Sequence, residues 1–152
     1  MRWSELAEQH CSVARSLSVI GDRWTPLILR QCFLGTRRFG DFLTALEISR
    51  PLLKERLDKL VDEGVLRREQ YEERPPRFEY RLTEKGLDFY PVITALLAWG
   101  DRWMAGKDGP PLELTHRTCG NKMIPTQVCP HCGDPVGPHD VDAKFRSPRR
   151  RT

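Results

Sequence analysis

The apolar positions between residues 49 and 82 change from a helical to an alternating period. One buried helical face is predicted by residues that recur every three or four positions: Leu53, Leu57, Leu60 and Val61. Ser49 suits the N-cap of this helix, and Pro51 is tolerated in a first turn whose N–H groups have no partner inside the helix. Gly64 suits the position just after the helix, because glycine adopts the left-handed conformation found there.

Beyond Gly64 the pattern indicates an antiparallel pair of strands. Phe78, Tyr80 and Leu82 alternate with Glu79 and Arg81, which is typical of a half-buried strand. A polar, proline-containing segment over residues 72–77 would form the tip between this strand and the one starting near residue 65. A helix followed by a two-stranded ribbon is the outline of a winged helix-turn-helix.

The remaining periodicity predicts helices around this unit. Residues 11–35 read as two short helices, with Asp22 capping the second and Trp24 in the core. A third helix spans Phe39–Glu47, and only Ile48 separates it from Ser49, so the turn is tight. The predicted fold is mainly α with a small β-wing (α+β), a winged helix-turn-helix.

A last, long helix is predicted from Thr83 to Trp103 or Met104, with a kink or a shift in packing at Pro91. It is apolar on more than one face, which favours burial of the second face against another copy of the chain in a homodimer. Burial of that face under the N-terminal helix is the alternative.

The composition suggests four consecutive regions. Residues 1–105 would form the DNA-binding and dimerisation domain, 106–115 a linker, 116–137 a zinc-knuckle-like appendage and 138–152 a basic disordered tail. The last ten residues hold five basic and no acidic side chains, so the rest of the chain has a formal charge of −1 against +4 overall. Net charge is therefore weak evidence for a nucleic-acid partner. The absence of a long apolar run and of a secretion signal predicts a cytoplasmic protein without membrane contact, in which cysteines stay reduced.

Several residues could contact a DNA duplex. The helix that would enter the major groove begins with Ser49, Arg50, Pro51 and Lys54. Side chains at this end of a helix reach base edges, and the backbone amides reach phosphate. Arg37 and Arg38 precede the third helix and could reach the phosphate backbone, or could simply be solvated. The wing tip offers Arg74 and Arg77, although the acidic Glu72 and Glu73 beside them would repel phosphate unless paired.

A second group of residues has the spacing of a structural zinc site. The ligands would be one histidine and three cysteines, each pair followed by glycine: His116, Cys119, Cys129 and Cys132. Thiol–disulfide chemistry at the Cys-Pro-His-Cys segment is less favoured, because Gly133-Asp134-Pro135 discourages the helix it needs. A zinc deaminase is disfavoured because no glutamate follows His116 at the required position.

Two cysteines precede these ligands. Cys11 lies just before the first core helix and is a candidate redox sensor, although a small buried residue is an equal alternative. Cys32 lies in an apolar segment and is predicted to pack in the core. No nucleophilic triad, phosphate-binding glycine loop or catalytic carboxylate pair stands out, so we expect no enzyme activity.

From Cys11 to Trp103 the chain resembles the HxlR family of bacterial winged-helix transcription regulators, relatives of the MarR group. The resemblance rests on the Cys-x-Val-Ala opening, Trp24, Arg38-Phe39, Ile48-Ser49, Leu57 and the segment from Leu82 to Gly86. It implies dimers held by terminal helices, a major-groove helix corresponding to residues 49–63 and, in several members, oxidant or electrophile sensing at the cysteine matching Cys11. Many members carry other residues at Arg50-Pro51, so base preference does not transfer.

Together these features predict a sequence-specific DNA-binding regulator, a homodimeric repressor that responds to a small molecule or to oxidation of Cys11. The alternative is a zinc-containing protein-interaction module whose winged helix does not bind DNA. Its main support is the near-neutral charge outside the tail.

Overall fold

The structure, a computed structural model, describes the backbone of residues 3–145 and the side chains of residues 5–145. The predicted basic tail therefore lies outside the described residues from Arg146 onward. The elements follow one another as α1 (Trp3–Glu8), α2 (Ser12–Ile20), α3 (Trp24–Phe33), α4 (Phe39–Leu46), α5 (Arg50–Asp62), β1 (Leu66–Glu73), β2 (Pro76–Leu82), α6 (Glu84–Leu87) and α7 (Tyr90–Met104). This is the predicted winged helix-turn-helix, mainly helical with a two-stranded antiparallel sheet.

The helix-turn-helix consists of α4 and α5. Leu53, Leu57 and Leu60 of α5 are fully buried, and they pack in one core with Ile28, Leu29 and Phe42. The predicted apolar face of α5 is therefore confirmed. Ile48, in the turn between the two helices, is also buried.

Helix α5 ends in a Schellman motif. Gly64 has φ +69°, the Val65 N–H donates to the Leu60 carbonyl at 2.9 Å, and the Gly64 N–H donates to the Val61 carbonyl at 2.9 Å. Val65 and Leu60 both belong to the buried core cluster, as is typical of the apolar residues at these two positions of the motif. The predicted role of Gly64 is confirmed.

The wing pairs Leu66 with Leu82 and Gln70 with Phe78, and its register shifts between Gln70 and Glu72. The shift is a β-bulge, which leaves Tyr71 as the extra residue and re-aims its side chain.

The predicted long helix from Thr83 is wrong, because the chain forms α6 and α7 with a break between them. Pro91 has no N–H to donate to the carbonyl four residues earlier, and its ring would clash with that carbonyl, so a continuous helix is disfavoured there. At the other end of the chain, α1 was not predicted.

The described residues form two compact units that meet between Ile93 and Thr94, within α7. The predicted four regions stay a prediction. The core described above belongs to the first unit. Among the described residues, no helix combines the length and apolar character that crossing a membrane requires.

Candidate nucleic-acid interface

The N-terminal end of α5 is open to solvent. Ser49, Arg50, Pro51 and Lys54 are all exposed. Ser49 occupies the N-cap with an extended backbone, as predicted, but its side chain makes no capping hydrogen bond. The partial positive charge of the helix therefore faces outward at this end, which favours an anion such as phosphate. Arg50 forms no ion pair with any described residue, so its guanidinium can bind a ligand without first breaking an ion pair.

Lys54 differs from Arg50 because it already has a partner. Its Nζ forms an ion pair and hydrogen bond with Asp58, one turn later. That hydrogen bond, with the charge of Asp58, raises the pKa of Lys54. The carboxylate also places a negative charge beside the candidate DNA surface. A phosphate must therefore compete with Asp58 for this ammonium group.

A groove of about 270 Å³ separates α5 from the wing. Lys54 and Asp58 line it from the helix side, and Arg68, Phe78 and Tyr80 line it from the sheet side. The Arg68 guanidinium lies 3.8 Å from the centre of the Phe78 ring, a cation–π contact that holds this arginine along the wing. The groove is thus bordered by cations on both sides.

Arg37 and Arg38 are exposed and lie beside the sheet. The Tyr80 N–H donates to the Arg37 carbonyl at 2.8 Å, and Arg38 forms an isolated antiparallel bridge with Glu79. The Arg38 guanidinium lies 4.6 Å from the centre of the ring of Tyr71, the bulged residue. The bulge thereby aims an aromatic face at Arg38 and restricts where this cation points.

The two arginines of the wing tip differ in whether an acidic side chain neutralises them. Arg77 Nε lies 3.3 Å from a carboxylate oxygen of Glu72, which is the pairing that would relieve repulsion of phosphate. Arg74, at the turn itself, is exposed and has no ion pair within the described part of the chain. Of the two predicted wing arginines, Arg74 is therefore the one available for a new contact.

A contact that the sequence pattern did not predict holds the other end of α5. The Thr83 hydroxyl lies 2.6 Å from the Gly64 carbonyl and 3.1 Å from that of Val65, and the Lys85 ammonium donates to the Glu63 carbonyl at 2.6 Å. The Gly86 N–H in turn donates to the Thr83 hydroxyl at 3.1 Å. Thr83 and Lys85 thereby bind carbonyls near the C-terminus of α5, where a helix leaves such groups unpaired, and Gly86 holds the Thr83 hydroxyl. These three residues are called the α5 clamp. The only sequence signal for the clamp was the Thr-Glu-Lys-Gly segment itself.

A second unpredicted contact ties α5 to the start of α3. The Asp22 carboxylate accepts hydrogen bonds from the N–H groups of Trp24 (2.9 Å) and Thr25 (3.0 Å), which confirms its predicted capping role. It also lies 3.2 Å from Nε of Arg56 in α5. Burial raises the pKa of Asp22, but the hydrogen bonds from Thr25 and Trp24 and the charge of Arg56 outweigh it and hold the pKa below its ordinary value.

The two N-terminal cysteines lie in different environments. Cys11 is exposed and occupies the N-cap of α2. Cys32 packs against the core, as predicted, and burial raises the pKa of its thiol to about 12. Cys11 is therefore the more accessible of these two thiols.

The four predicted metal ligands lie in the second unit as two separate pairs. His116 Nδ1 lies 3.3 Å from Cys119 Sγ. The backbone N–H groups of His131 and Cys132 point at the sulfur of Cys129. Within residues 3–145, no three or more potential ligands form one metal-binding cluster. The predicted zinc site therefore stays a prediction.

The second unit also contains a cavity of about 530 Å³. Its walls combine residues of α7 with apolar and charged residues later in the chain, including Trp99, Asp101, Arg102, Trp103, Glu113, Leu114, Lys122 and Met123. The tryptophans remain 59% and 65% exposed, so much of this apolar surface is uncovered.

Comparison with known proteins agrees with this geometry. The model of the HxlR-like helix-turn-helix family matches residues 19–108. An uncharacterised HTH-type transcriptional regulator of Mycobacterium tuberculosis (strain H37Rv) is 45% identical over 130 residues, which cover 86% of this chain and 82% of the relative.

Two solved structures are similar in sequence and in fold. The crystal structure of PA1607, described as a candidate transcription factor, has 34% identity and a TM-score of 0.84, covering 93% of this chain and 99% of that one. The redox regulator HypR, in its reduced form, has 31% identity and a TM-score of 0.58, covering 60% of this chain and 92% of that one. This chain therefore belongs to the HxlR-like helix-turn-helix family and is a DNA-binding transcriptional regulator, not an enzyme.

Proposed function

We propose that the protein is a cytoplasmic, homodimeric repressor that binds a near-palindromic operator. Two copies of α5 would occupy successive major grooves, about 34–36 Å apart on one face of the duplex. A signal received elsewhere in the protein would change the spacing or angle between the two helices. Both contacts would then weaken together, because each depends on the position of the other.

The observation that carries this proposal is the open N-terminal end of α5. Arg50 is exposed and forms no ion pair with a described residue, and no side chain caps the first turn. A guanidinium in this position can donate two hydrogen bonds to a guanine or bind a phosphate. The sheet-side cations Arg37, Arg38 and Arg74 would then contact the flanking backbone.

The direct test is a gel shift with the DNA upstream of the protein's own gene, comparing wild type with Arg50→Ala. If Arg50 binds phosphate, each dimer loses two contacts, and the slope of log affinity against log salt should fall by about 1.8. If Arg50 reads a base, the preference for the operator over unrelated DNA should fall instead.

Lys107→Ala is a matched control for this experiment, since Lys107 is an exposed cation that follows α7 and precedes the appendage. It should leave both the affinity and the salt slope unchanged. Equal affinity of Arg50→Ala and wild type under all salt conditions would remove α5 from the interface. A wild-type affinity that is indifferent to salt would instead favour the alternative of a protein-interaction module.

The exposed apolar face of α7 supports the homodimer. Leu96, Trp99 and Trp103 are 52%, 59% and 65% exposed, and such a concentration of large apolar side chains marks an interaction surface. Light scattering after size exclusion should give twice the chain mass of 17.6 kDa. Trp99→Glu should give a monomer, whereas Leu34→Glu, at a residue 52% exposed elsewhere, should not. A monomeric wild type at working concentration would contradict the dimer.

Oxidation of Cys11 is the signal that the structure supports best. Its thiol is exposed, and one of the similar proteins, HypR, is named as a redox regulator. Oxidant should release wild-type protein from DNA and should have no effect on Cys11→Ser. Cys32→Ser should respond like wild type, because desolvation raises the pKa of the half-buried Cys32 thiol to about 12 and so disfavours the reactive thiolate. Release of the Cys11→Ser variant by oxidant would exclude Cys11 as the sensor.

A small-molecule signal would use the cavity of the second unit. Its volume of about 530 Å³ falls within the range of small-ligand sites, and its lining is mostly apolar, with the cations Arg102 and Lys122 balanced by Asp101 and Glu113. Lys122 Nζ already lies 3.3 Å from a carboxylate oxygen of Glu113, so such a lining suits an aromatic molecule without net charge. Quenching of tryptophan fluorescence by a panel of uncharged aromatic compounds, with loss of DNA binding at matching concentrations, would support this signal. Quenching without loss of DNA binding would count against it.

A further inference from the structure

Residues 114–123 and 127–136 form two hairpins with the same hydrogen-bond pattern, offset by thirteen positions. In the first, the His116 N–H donates to the Asn121 carbonyl at 2.9 Å and the Gly120 N–H donates to the His116 carbonyl at 2.8 Å. In the second, Cys129 donates to Asp134 at 2.9 Å and Gly133 donates to Cys129 at 2.8 Å. The hairpins are therefore a structural repeat that composition alone does not reveal.

The strands of the two hairpins also correspond. Each has one isolated bridge directly outside its tip, Thr115 with Lys122 and Val128 with Pro135. One further bond lies outside each bridge, from Met123 to the Leu114 carbonyl (2.7 Å) and from Val136 to the Gln127 carbonyl (2.9 Å). The repeat thus covers the whole hairpin and not only the turn.

Potential metal ligands occupy the same two positions of each tip. The first and fourth residues of the turn are His116 and Cys119 in one hairpin and Cys129 and Cys132 in the other. Each pair is followed by a glycine with positive φ, +71° at Gly120 and +79° at Gly133. This turn lets backbone N–H groups point at a sulfur, as those of His131 and Cys132 do at Cys129.

The distance within the first pair fits a shared metal ion. Zinc binds nitrogen at about 2.0–2.1 Å and sulfur at about 2.3 Å in a tetrahedron, which places the two ligand atoms about 3.6 Å apart. His116 Nδ1 and Cys119 Sγ are 3.3 Å apart, close to that value. Two ligands leave a zinc ion half coordinated, so a closed site needs the second pair as well.

The appendage has little else to stabilise it. No side chain from residue 105 to residue 145 is buried, and the apolar Ile124 and Val128 are 68% and 53% exposed. A segment that buries so little apolar surface needs a crosslink to stay folded. Only Ile124, Pro125 and Thr126 separate the hairpins, a span of about 14 Å at most from Met123 to Gln127, so their tips can meet.

We propose that the two hairpins close on one Zn²⁺ ion, bound by His116 and Cys119 from the first and by Cys129 and Cys132 from the second. Binding would convert three thiols to thiolates and release up to three protons to solvent, while the imidazole binds as the neutral ring. Among the described residues the two pairs lie apart, so a site formed by all four requires the hairpin tips to approach each other. The site is independent of the proposed operator binding.

The test is metal analysis of the full chain, purified with a reductant from zinc-supplemented cells. Wild type should hold about one zinc per chain, and Cys119→Ser and Cys129→Ser should each lose most of it. His131→Ala is the matched control, because His131 lies between two ligands but at a position the repeat does not use. It should retain the zinc, as should Cys11→Ser.

A second measurement avoids variants that fail to fold. Wild type is stripped with a chelator and titrated with Co²⁺, whose absorption reports tetrahedral geometry and thiolate ligands. Saturation at about one cobalt per chain, with slower tryptic cleavage at Arg117 and Lys122, would support the closed site. Three results would overturn it: no bound metal, half an ion per chain, or full zinc in Cys119→Ser. In protein purified without a reductant, a Cys129–Cys132 disulfide identified by peptide mapping would also overturn it.

Discussion

Gly86 leaves no room for a side chain, and this makes the α5 clamp testable. A Cβ added there would lie 2.3 Å from the Val65 carbonyl oxygen and 3.0 Å from Cδ2 of Leu82. The first of these neighbours is backbone and cannot rotate away. In Gly86→Ala, α6 and the start of β1 must therefore separate by about 1 Å, since non-bonded carbon and oxygen atoms rarely approach closer than the range of a weak C–H···O contact, about 3.3 Å.

The magnitude follows from what that separation breaks. The Val65 carbonyl accepts the Thr83 N–H at 3.1 Å and lies 3.1 Å from the Thr83 hydroxyl. A shift of that size weakens both contacts, at about 1 kcal/mol each. Overpacking adds about 1–3 kcal/mol, and the better helix propensity of alanine returns at most about 1 kcal/mol. We expect a net loss of about 2–4 kcal/mol in the free energy of unfolding.

Urea denaturation of wild type, Gly86→Ala and Gly40→Ala measures this directly. At Gly40, in α4, an added Cβ meets no atom within 4 Å, so the control should be unchanged or slightly more stable. Below its unfolding transition, Gly86→Ala should also bind DNA more weakly than Gly40→Ala, because the clamp sets the position of α5. Equal stability of the two variants would refute the clamp as a tightly packed contact.

Three further predictions follow from the ion pairs and the cation–π contact described above. Asp58→Asn should bind DNA more tightly and with a steeper salt slope in gel shifts, because it frees Lys54 and removes a negative charge; unchanged binding would place Lys54 outside the interface. Asp22→Asn should be less stable than wild type near neutral pH. The pKa of Asp22 in the folded state lies below its ordinary value of 3.8, so the charged carboxylate stabilises the fold above pH 3.8 and this stabilisation is lost as the pH falls through the folded-state pKa. The urea denaturation curves of wild type and Asp22→Asn should therefore converge in acid. A difference in stability that does not change with pH would contradict this. Tyr71→Leu should lower DNA affinity about as much as Arg38→Ala, because the ring restricts the guanidinium; full affinity would show that the ring is dispensable.

The apolar spacing alone determined the elements that make the DNA-binding unit. Leu53, Leu57 and Leu60 lie on one face only if the segment is a helix, and Gly64 can adopt the left-handed conformation that ends a helix. The helix and its C-terminal end could therefore both be predicted from neighbouring residues in the sequence. The same holds for the alternation through Tyr80 and for the cap at Asp22.

Only the tertiary structure decided which charges are available and what holds α5 in place. In the sequence, Arg50 and Lys54 are both cations near the start of α5 and have the same predicted role. In the folded chain Lys54 pairs with Asp58, whereas Arg50 forms no ion pair among the described residues. The clamp joins residues about twenty positions apart through backbone carbonyls, which have no side-chain signature. The two hairpins of the appendage likewise share their backbone bonds more than their residues. Local periodicity reports which face of an element is buried, but contacts between distant backbone groups depend on how the elements pack.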